Sequence, residues 1–425
     1  MKNNQLKENN EKSNVLRNLN IILSIIIIIL LIFAIFRFNL LGFLFSEENG
    51  ESNEPSRATE PFINTHDHID NINLLDNWIF SQRQCKVSAT IMVGSANQTF
   101  WGQPKDPFDK YLEDNELLLE MAKETDDEII AFPTLNPNDE GNLELLKDYI
   151  SRGARGLNLW TGHHGTITGS WGNTTLYDWL GPLNRTDMYP IYEYCQENRI
   201  PIIWSNNLGV REVREHLWEI LDDFPDMIIK IPHFGVCFRS FNLPFIEEFL
   251  DNYEGGYTCF SWGHPDFVLE KFENISNGNR TEAIKQFFYK HQDQIMFGTD
   301  IVPTDHPRKT VEWMRRHTQA YVDILEREEY HVEIYDFTPD GRDFVVDYHG
   351  LNLSKDILEK VFYKNAIKFL NGKKWNESLD DKGNATLWEF DGLHFKMLDE
   401  LSTESNGSLV LASVNGKRNL RKILF

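Results

Sequence analysis

The sequence predicts an α/β protein, a (β/α)8 TIM barrel preceded by a single N-terminal transmembrane helix. Three observations carry that expectation. Eight short β-type runs alternate with amphipathic helical stretches between residues 61 and 371. A charge-free apolar run, Ile21 to Phe36, precedes them. Side chains suited to metal chemistry stand at the ends of the first, sixth and eighth runs.

In chain order, residues 1–20 form a polar segment with Lys2, Lys7, Lys12 and Arg17. Residues 21–45 are read as the anchor: Arg37 snorkels, and Leu40 to Phe45 extend the apolar length enough to cross with some tilt. The alternative, a cleaved signal peptide, would have a shorter core and end in small residues, whereas this run ends in Phe, Leu and Gly. Basic residues before the run and Glu47, Glu48 and Glu51 after it set the N-terminus cytoplasmic and the barrel extracytoplasmic. Asn-x-Ser/Thr acceptors begin at Asn97, Asn173, Asn184, Asn274, Asn279, Asn352, Asn376, Asn384 and Asn406, all after the apolar segment, as suits a glycosylated exported surface.

Residues 46–60 are a polar linker with Pro55, and the barrel is expected over residues 61–371. Its strands are Phe62–Ile69, Val87–Val93, Ile129–Leu135, Ala154–Trp160, Ile200–Trp204, Ile228–Pro232, Tyr257–Phe260 and Ile295–Phe297. Helices are expected at Tyr111–Thr125, Tyr189–Asn198, Val210–Phe224, Thr281–Gln292 and Thr310–Glu328. An open doubly wound sheet is the runner-up, but no Gly-rich phosphate loop follows the first strand. Gly162 to Met188 is an insertion after strand 4, expected as a lid or pocket wall. Residues 372–425 are a polar extension with a β-like patch at Leu409–Val414.

The net charge of -23 argues against binding nucleic acid, which needs clustered Lys and Arg. Cys85, Cys195, Cys237 and Cys259 have no Cys-x-x-Cys spacing, so a thiolate zinc site is not expected, and one or two disulfides stay open. His66 and His68 are two apart on a strand, so both imidazoles face one point in space. His233 follows strand 6 and Asp300 follows strand 8; strand ends of a barrel share one rim, so the four residues should converge. Three imidazoles and a carboxylate suit one divalent ion, zinc first with manganese or iron as alternatives, and a carboxylate such as Asp300 beside it can take the proton of a metal-activated water. Trp160, Trp171, Trp179 and Trp262 are read either as a pocket lining or as core and lid packing.

The sequence resembles the amidohydrolase superfamily, in the amidohydrolase-related branch that includes decarboxylases of the aminocarboxymuconate semialdehyde type. The matching stretches are Ile63–Ile69, Gly153–Trp160, Ile200–Ile203, Phe224-Pro225-Asp226, Ile231–Gly235, Ile295–Asp300 and Lys355–Leu370. The resemblance implies a metal-dependent barrel with His66 and His68 as strand-1 ligands. Asp300 would be the strand-8 ligand or proton acceptor, and His233 would polarise substrate or bind metal. Two positions depart from the pattern: Asn158 stands where a strand-4 lysine is common, and Ser205 where a strand-5 histidine usually ends the strand. Asn207, His163 or His164 could supply the missing ligand or touch substrate.

The expected function is therefore membrane-anchored, metal-dependent hydrolysis of a small carbonyl-containing substrate, with decarboxylation second. The alternative is a catalytically degenerate barrel that binds a ligand without turning it over. A purely structural membrane module would leave the rim residues unexplained. The expected partners are a small-molecule substrate, the membrane through the N-terminal helix, and no nucleic acid, with a homo-oligomer left open.

Overall fold

Two parallel sheets joined at both edges make the barrel. The computed structural model describes residues 62–68, 71–94, 108, 110–125, 128–160, 182–236, 243–262, 280–304, 307–334, 344–377, 388–391 and 394–397. β1 (Phe62–Asp67), β2 (Val87–Val93) and β3 (Ile129–Phe132) form the first sheet. β4 (Leu157–Trp160), β5 (Ile202–Ser205), β6 (Ile229–Ile231), β7 (Gly256–Cys259) and β8 (Ile295–Met296) form the second. One seam closes through a parallel bridge between Thr134 and Asn158, whose N–H donates to the Pro133 carbonyl at 2.9 Å. The other closes where the Thr65 N–H donates to the Phe297 carbonyl at 2.9 Å and the Asp300 N–H to the His66 carbonyl at 2.8 Å. Closure pairs the outer edges of the two parallel sheets with each other, which an open doubly wound sheet could not achieve.

The strands are short and Ile-rich, and β3, β4, β5, β6, β7 and β8 are buried at every position, because helices cover one face and the barrel interior the other. The covering helices are α1 (Leu75–Gln84), α2 (Tyr111–Glu124), α3 (Asn142–Ser151), α4 (Tyr189–Glu197), α5 (Arg211–Asp223), α6 (Leu243–Asn252), α7 (Arg280–Lys290) and α8 (Val311–Glu326). In α5, Val213, Leu217, Ile220 and Leu221 form the buried stripe, at the spacing a 3.6-residue period requires. α8 starts where the Thr310 hydroxyl accepts the Trp313 N–H at 3.2 Å, a cap contributing about 1 kcal/mol.

The helical segment Lys355–Leu370, with a π turn at Lys360–Lys364, packs against the strand beginnings. Phe362 stacks on Phe62, the first residue of β1, with ring centroids 3.9 Å apart. The Asn365 amide donates to the Ile295 carbonyl at 2.8 Å, at the first residue of β8. That packing fills one end of the barrel and leaves the strand C-termini for the site.

An antiparallel hairpin, β9 (Glu329–Ile334) with β10 (Phe344–His349), follows α8, and a second one pairs β11 (Trp388–Asp391) with β12 (His394–Met397). Neither hairpin, nor α1, α3 and α6, is among the elements expected from sequence. Of the insertion Gly162 to Met188, residues 162–181 lie outside the described residues, as does the patch Leu409–Val414. Among the described residues no helix is long and apolar enough to cross a membrane, and the segment 21–45 lies outside them.

Candidate metal centre

β1 delivers the first two donors. The His66 and His68 rings meet edge to face with centroids 5.2 Å apart, and the His66 and His233 rings do so at 4.8 Å. His233 leaves β6 in left-handed backbone (φ 59°), followed by Phe234 (φ 48°) and Gly235 (φ 63°). Two successive non-glycine residues there cost on the order of 1–2 kcal/mol each. Packing of Phe234 against Phe260, Phe287 and Phe288 offsets that cost. At Gly235 a Cβ would meet Leu208 at 2.8 Å, so the turn requires glycine. Asp300, also left-handed (φ 56°), turns its carboxylate back over the mouth after β8.

The four groups converge. Asp300 Oδ1 lies 3.5 Å from His66 Nε2 and 3.3 Å from His68 Nε2, and Oδ2 lies 4.0 Å from His233 Nε2. Donor atoms of His66, His233 and Asp300 all fall within 4.8 Å of one another. The histidines are buried, while the Asp300 side chain keeps 18% exposure, so the cluster opens on its carboxylate side.

These residues fit a divalent ion. His233 Nδ1 lies 2.6 Å from the Ser261 carbonyl, which can only accept, so Nδ1 carries the proton. Burial holds the His233 pKa below the ordinary imidazole value, against the attraction of Asp300, so the ring is neutral and Nε2 is the unprotonated nitrogen. That nitrogen faces a carboxylate, an arrangement a cation between them stabilises. Two bonds of about 2.1 Å at a tetrahedral angle separate donors by about 3.4 Å, close to the spacings on the His66 and His68 side.

Two further groups shape the site and were not singled out from sequence. Asp67 is fully buried beneath the cluster; its Oδ2 accepts from Asn64 Nδ2 and from the Thr299 hydroxyl at 2.8 Å. Burial raises its carboxyl well above the usual range. The β1–β2 register shifts between Asn64 and Asp67, and this irregularity turns Asp67 inward against simple alternation. Lys230, in the middle of β6, is completely buried and donates to the Thr65 carbonyl. A lone lysine inside the apolar run Met227–Ile231 is the signal that could have found it.

The remaining expected residues make other bonds. The Asn158 amide donates to Thr134 Oγ1 at 2.7 Å, at the β3–β4 seam. Asn207 Oδ1 accepts the Gly209 N–H at 2.8 Å, shaping the turn into α5. Ser205 ends β5 in register with Trp160 and is buried. The Trp262 ring stands perpendicular to His233 with centroids 5.2 Å apart, while Trp160 packs with Phe108. His163 and His164 lie outside the described residues, as do Trp171 and Trp179. Of the glycosylation acceptors, Asn376 is exposed and Asn184 and Asn352 are partly exposed; Asn97, Asn173, Asn274, Asn279, Asn384 and Asn406 lie outside the described residues. Cys85, Cys195 and Cys259 are buried thiols, and Cys237 lies outside the described residues.

A family model described as amidohydrolase matches residues 80–372. The chain belongs to the amidohydrolase family. The match begins after β1, so His66 and His68 lie outside it and join the family's barrel through the β8–β1 seam. No curated protein matches the chain. Among solved structures, a TIM-barrel protein of Bordetella bronchiseptica is 13% identical with a TM-score of 0.46, covering 73% of this chain and 99% of its own. The 2,6-dihydroxybenzoate decarboxylase of Rhizobium is 12% identical (TM-score 0.44, 73% and 99% covered). The 4-oxalomesaconate hydratase of Rhodopseudomonas palustris is 14% identical (TM-score 0.43, 73% and 96% covered).

Proposed function

We propose that the chain is a metal-dependent enzyme of the amidohydrolase type that hydrolyses a small carbonyl compound, with decarboxylation as the second reaction. The observation that supports this most is the neutral His233 Nε2 facing the Asp300 carboxylate, beside His66 and His68. His66, His68, His233 and Asp300 would hold one divalent ion, zinc first and manganese or iron as alternatives. Such an ion supplies Lewis acidity toward a carbonyl and acidifies water toward neutrality. Asp300 is the proton acceptor, because its carboxylate is the part of the cluster open to solvent. The Ser261 carbonyl fixes the His233 ring, so Nε2 stays aimed at the reacting centre. Trp262, edge-on to that ring, limits water on its side.

A second reading, a barrel that binds without turnover, is favoured by Asn158 and Ser205 at positions where the family resemblance leads one to expect a lysine and a histidine. Metal analysis of the purified protein separates the two. The proposal expects a near-stoichiometric divalent metal, lost in a folded His66→Ala/His68→Ala variant. Absence of metal from both proteins would leave only the binding reading.

We also read residues 21–45 as a single-pass anchor, with the N-terminus cytoplasmic and the barrel extracytoplasmic and glycosylated. Supporting this are the uncharged run, its flanking charges and the acceptors that follow it. The partners on this reading are a small-molecule substrate and the membrane, with self-association open and no nucleic acid.

A further inference from the structure

Among the described residues, Lys230 is a buried charged side chain of the barrel interior that the proposed chemistry does not use. It lies on β6, between Ile203 of β5 and Tyr257 of β7, and is completely buried. Its ammonium donates to the Thr65 carbonyl on β1. In the strand order, β7 and β8 lie between β6 and β1, so this side chain crosses the barrel interior rather than bridging neighbours.

The bond lands beside a ligand. Thr65 and His66 share a peptide unit, and its N–H, on His66, faces Asn64 Oδ1 at 3.3 Å. The His66 carbonyl accepts the Asp300 N–H at 2.8 Å. The backbone around His66 is thus held from three directions: Lys230 from β6, Asn64 from its own strand, and Asp300 from the turn after β8. Three residues beyond Lys230, at the start of the turn that leaves β6, stands His233. One side chain therefore ties the strand that leads into His233 to the strand carrying His66.

We propose that Lys230 is a positioning residue, a strut across the barrel that holds His66 and His68 in register with His233 and Asp300. Burying an ammonium with one carbonyl acceptor is costly, and a hydrophobic side chain of that length would fill the space more cheaply. The placement is understandable if the bond fixes geometry. Burial draws the Lys230 pKa down to about 8, against the attraction of Cys259, Asp300 and Asp67, so the group is still a charged donor at neutral pH.

The inference rests on the metal reading, and the sign of one measurement tests it. If the ammonium acted mainly through its charge, removing a cation beside a cation site would tighten metal binding. A strut predicts the opposite. The experiment compares the full-length protein with Lys230→Met and with Lys230→Gln, which keeps a shorter, neutral donor. Zinc affinity is read by chelator competition, and hydrogen exchange of the Asp300 amide is read without metal. The expected result is zinc binding about 10–100-fold weaker in Lys230→Met, as for other groups that orient ligands. Lys230→Gln should fall between the two, and the Asp300 amide should exchange faster in Lys230→Met. Zinc affinity in Lys230→Met equal to or tighter than wild type would overturn the strut. If wild type takes up no zinc, the metal reading fails by itself, and unchanged Asp300 protection in Lys230→Met still overturns the strut. If Lys230→Met does not fold, Lys230→Gln decides: intermediate affinity supports the inference, and wild-type exchange with lost affinity overturns it.

Discussion

Around the mouth of the barrel, β1, β6 and β8 lead into imidazoles and a carboxylate, whereas β4 and β5 end in Trp160 and the run Ser205, Asn206, Asn207. The first arc is tied together by long-range bonds: Lys230 to Thr65, Asp300 to His66, and Thr299 to Asp67. On the second, Asn158 reaches the neighbouring strand and Asn207 caps its own turn. The Asn206 amide is buried with no hydrogen-bond partner among the described residues. The first arc bears strained backbone at His233, Phe234 and Asp300, held by aromatic packing and cross-barrel bonds. Strain retained on one side of a mouth, and absent where the side chains are amides, marks the side where geometry matters for chemistry.

The contrast is broken most directly at Asp300. Asp300→Asn removes the carboxylate that three imidazoles face, and metal affinity should fall more than about 100-fold while the circular dichroism spectrum is retained. Unchanged metal content would mean that the first arc is not a metal site.

Next in size is the pH dependence of Lys230. Its folded-state pKa, about 8, lies below the ordinary 10.5, so folding favours the neutral amine. The stabilisation from this group is complete above pH 10.5 and is lost as the pH falls through 8. The gap corresponds to about 3 kcal/mol. Denaturant melts of wild type and Lys230→Met across pH 7–11 isolate it, because other alkaline effects are common to both. The variant should be relatively more stable at pH 7, and its advantage should shrink by pH 10.5.

Much of the first arc is legible from sequence because its information is local. Strand alternation aims His66 and His68 together, and short Ile-rich runs such as Ile200–Trp204 announce buried strands. Asp67 escapes that reasoning because a register shift in β1 reverses its facing. Lys230 escapes because its partner lies 165 residues away and no spacing motif encodes a cross-barrel bond. α3 was equally legible and was not among the expected helices: Asn142–Ser151 buries Leu146, Tyr149 and Ile150 at helical spacing. The hairpin β9–β10 alternates polar and apolar residues, as in Glu329–Ile334, but it follows a helical pattern that ran past its true end at Glu326. Tertiary packing decided where that helix stopped.

The smaller predictions concern the second arc. Ser205 ends β5, where the family resemblance leads one to expect a ligand. If the arcs differ only in donor chemistry, Ser205→His should add an imidazole and tighten metal binding about tenfold, since a further nitrogen donor completes the shell. An unchanged dissociation constant would mean that β5 does not present this position to the cluster. Asn207→Ala is the control at the low end. Its Oδ1 shapes the turn into α5, so the loss should cost about 1 kcal/mol of stability and leave metal affinity alone. Should metal affinity drop with Asn207→Ala while stability holds, the second arc would have to be counted as part of the binding site. The asymmetry between the two arcs would then be one of ligand strength, with every strand around the mouth contributing to a single shell.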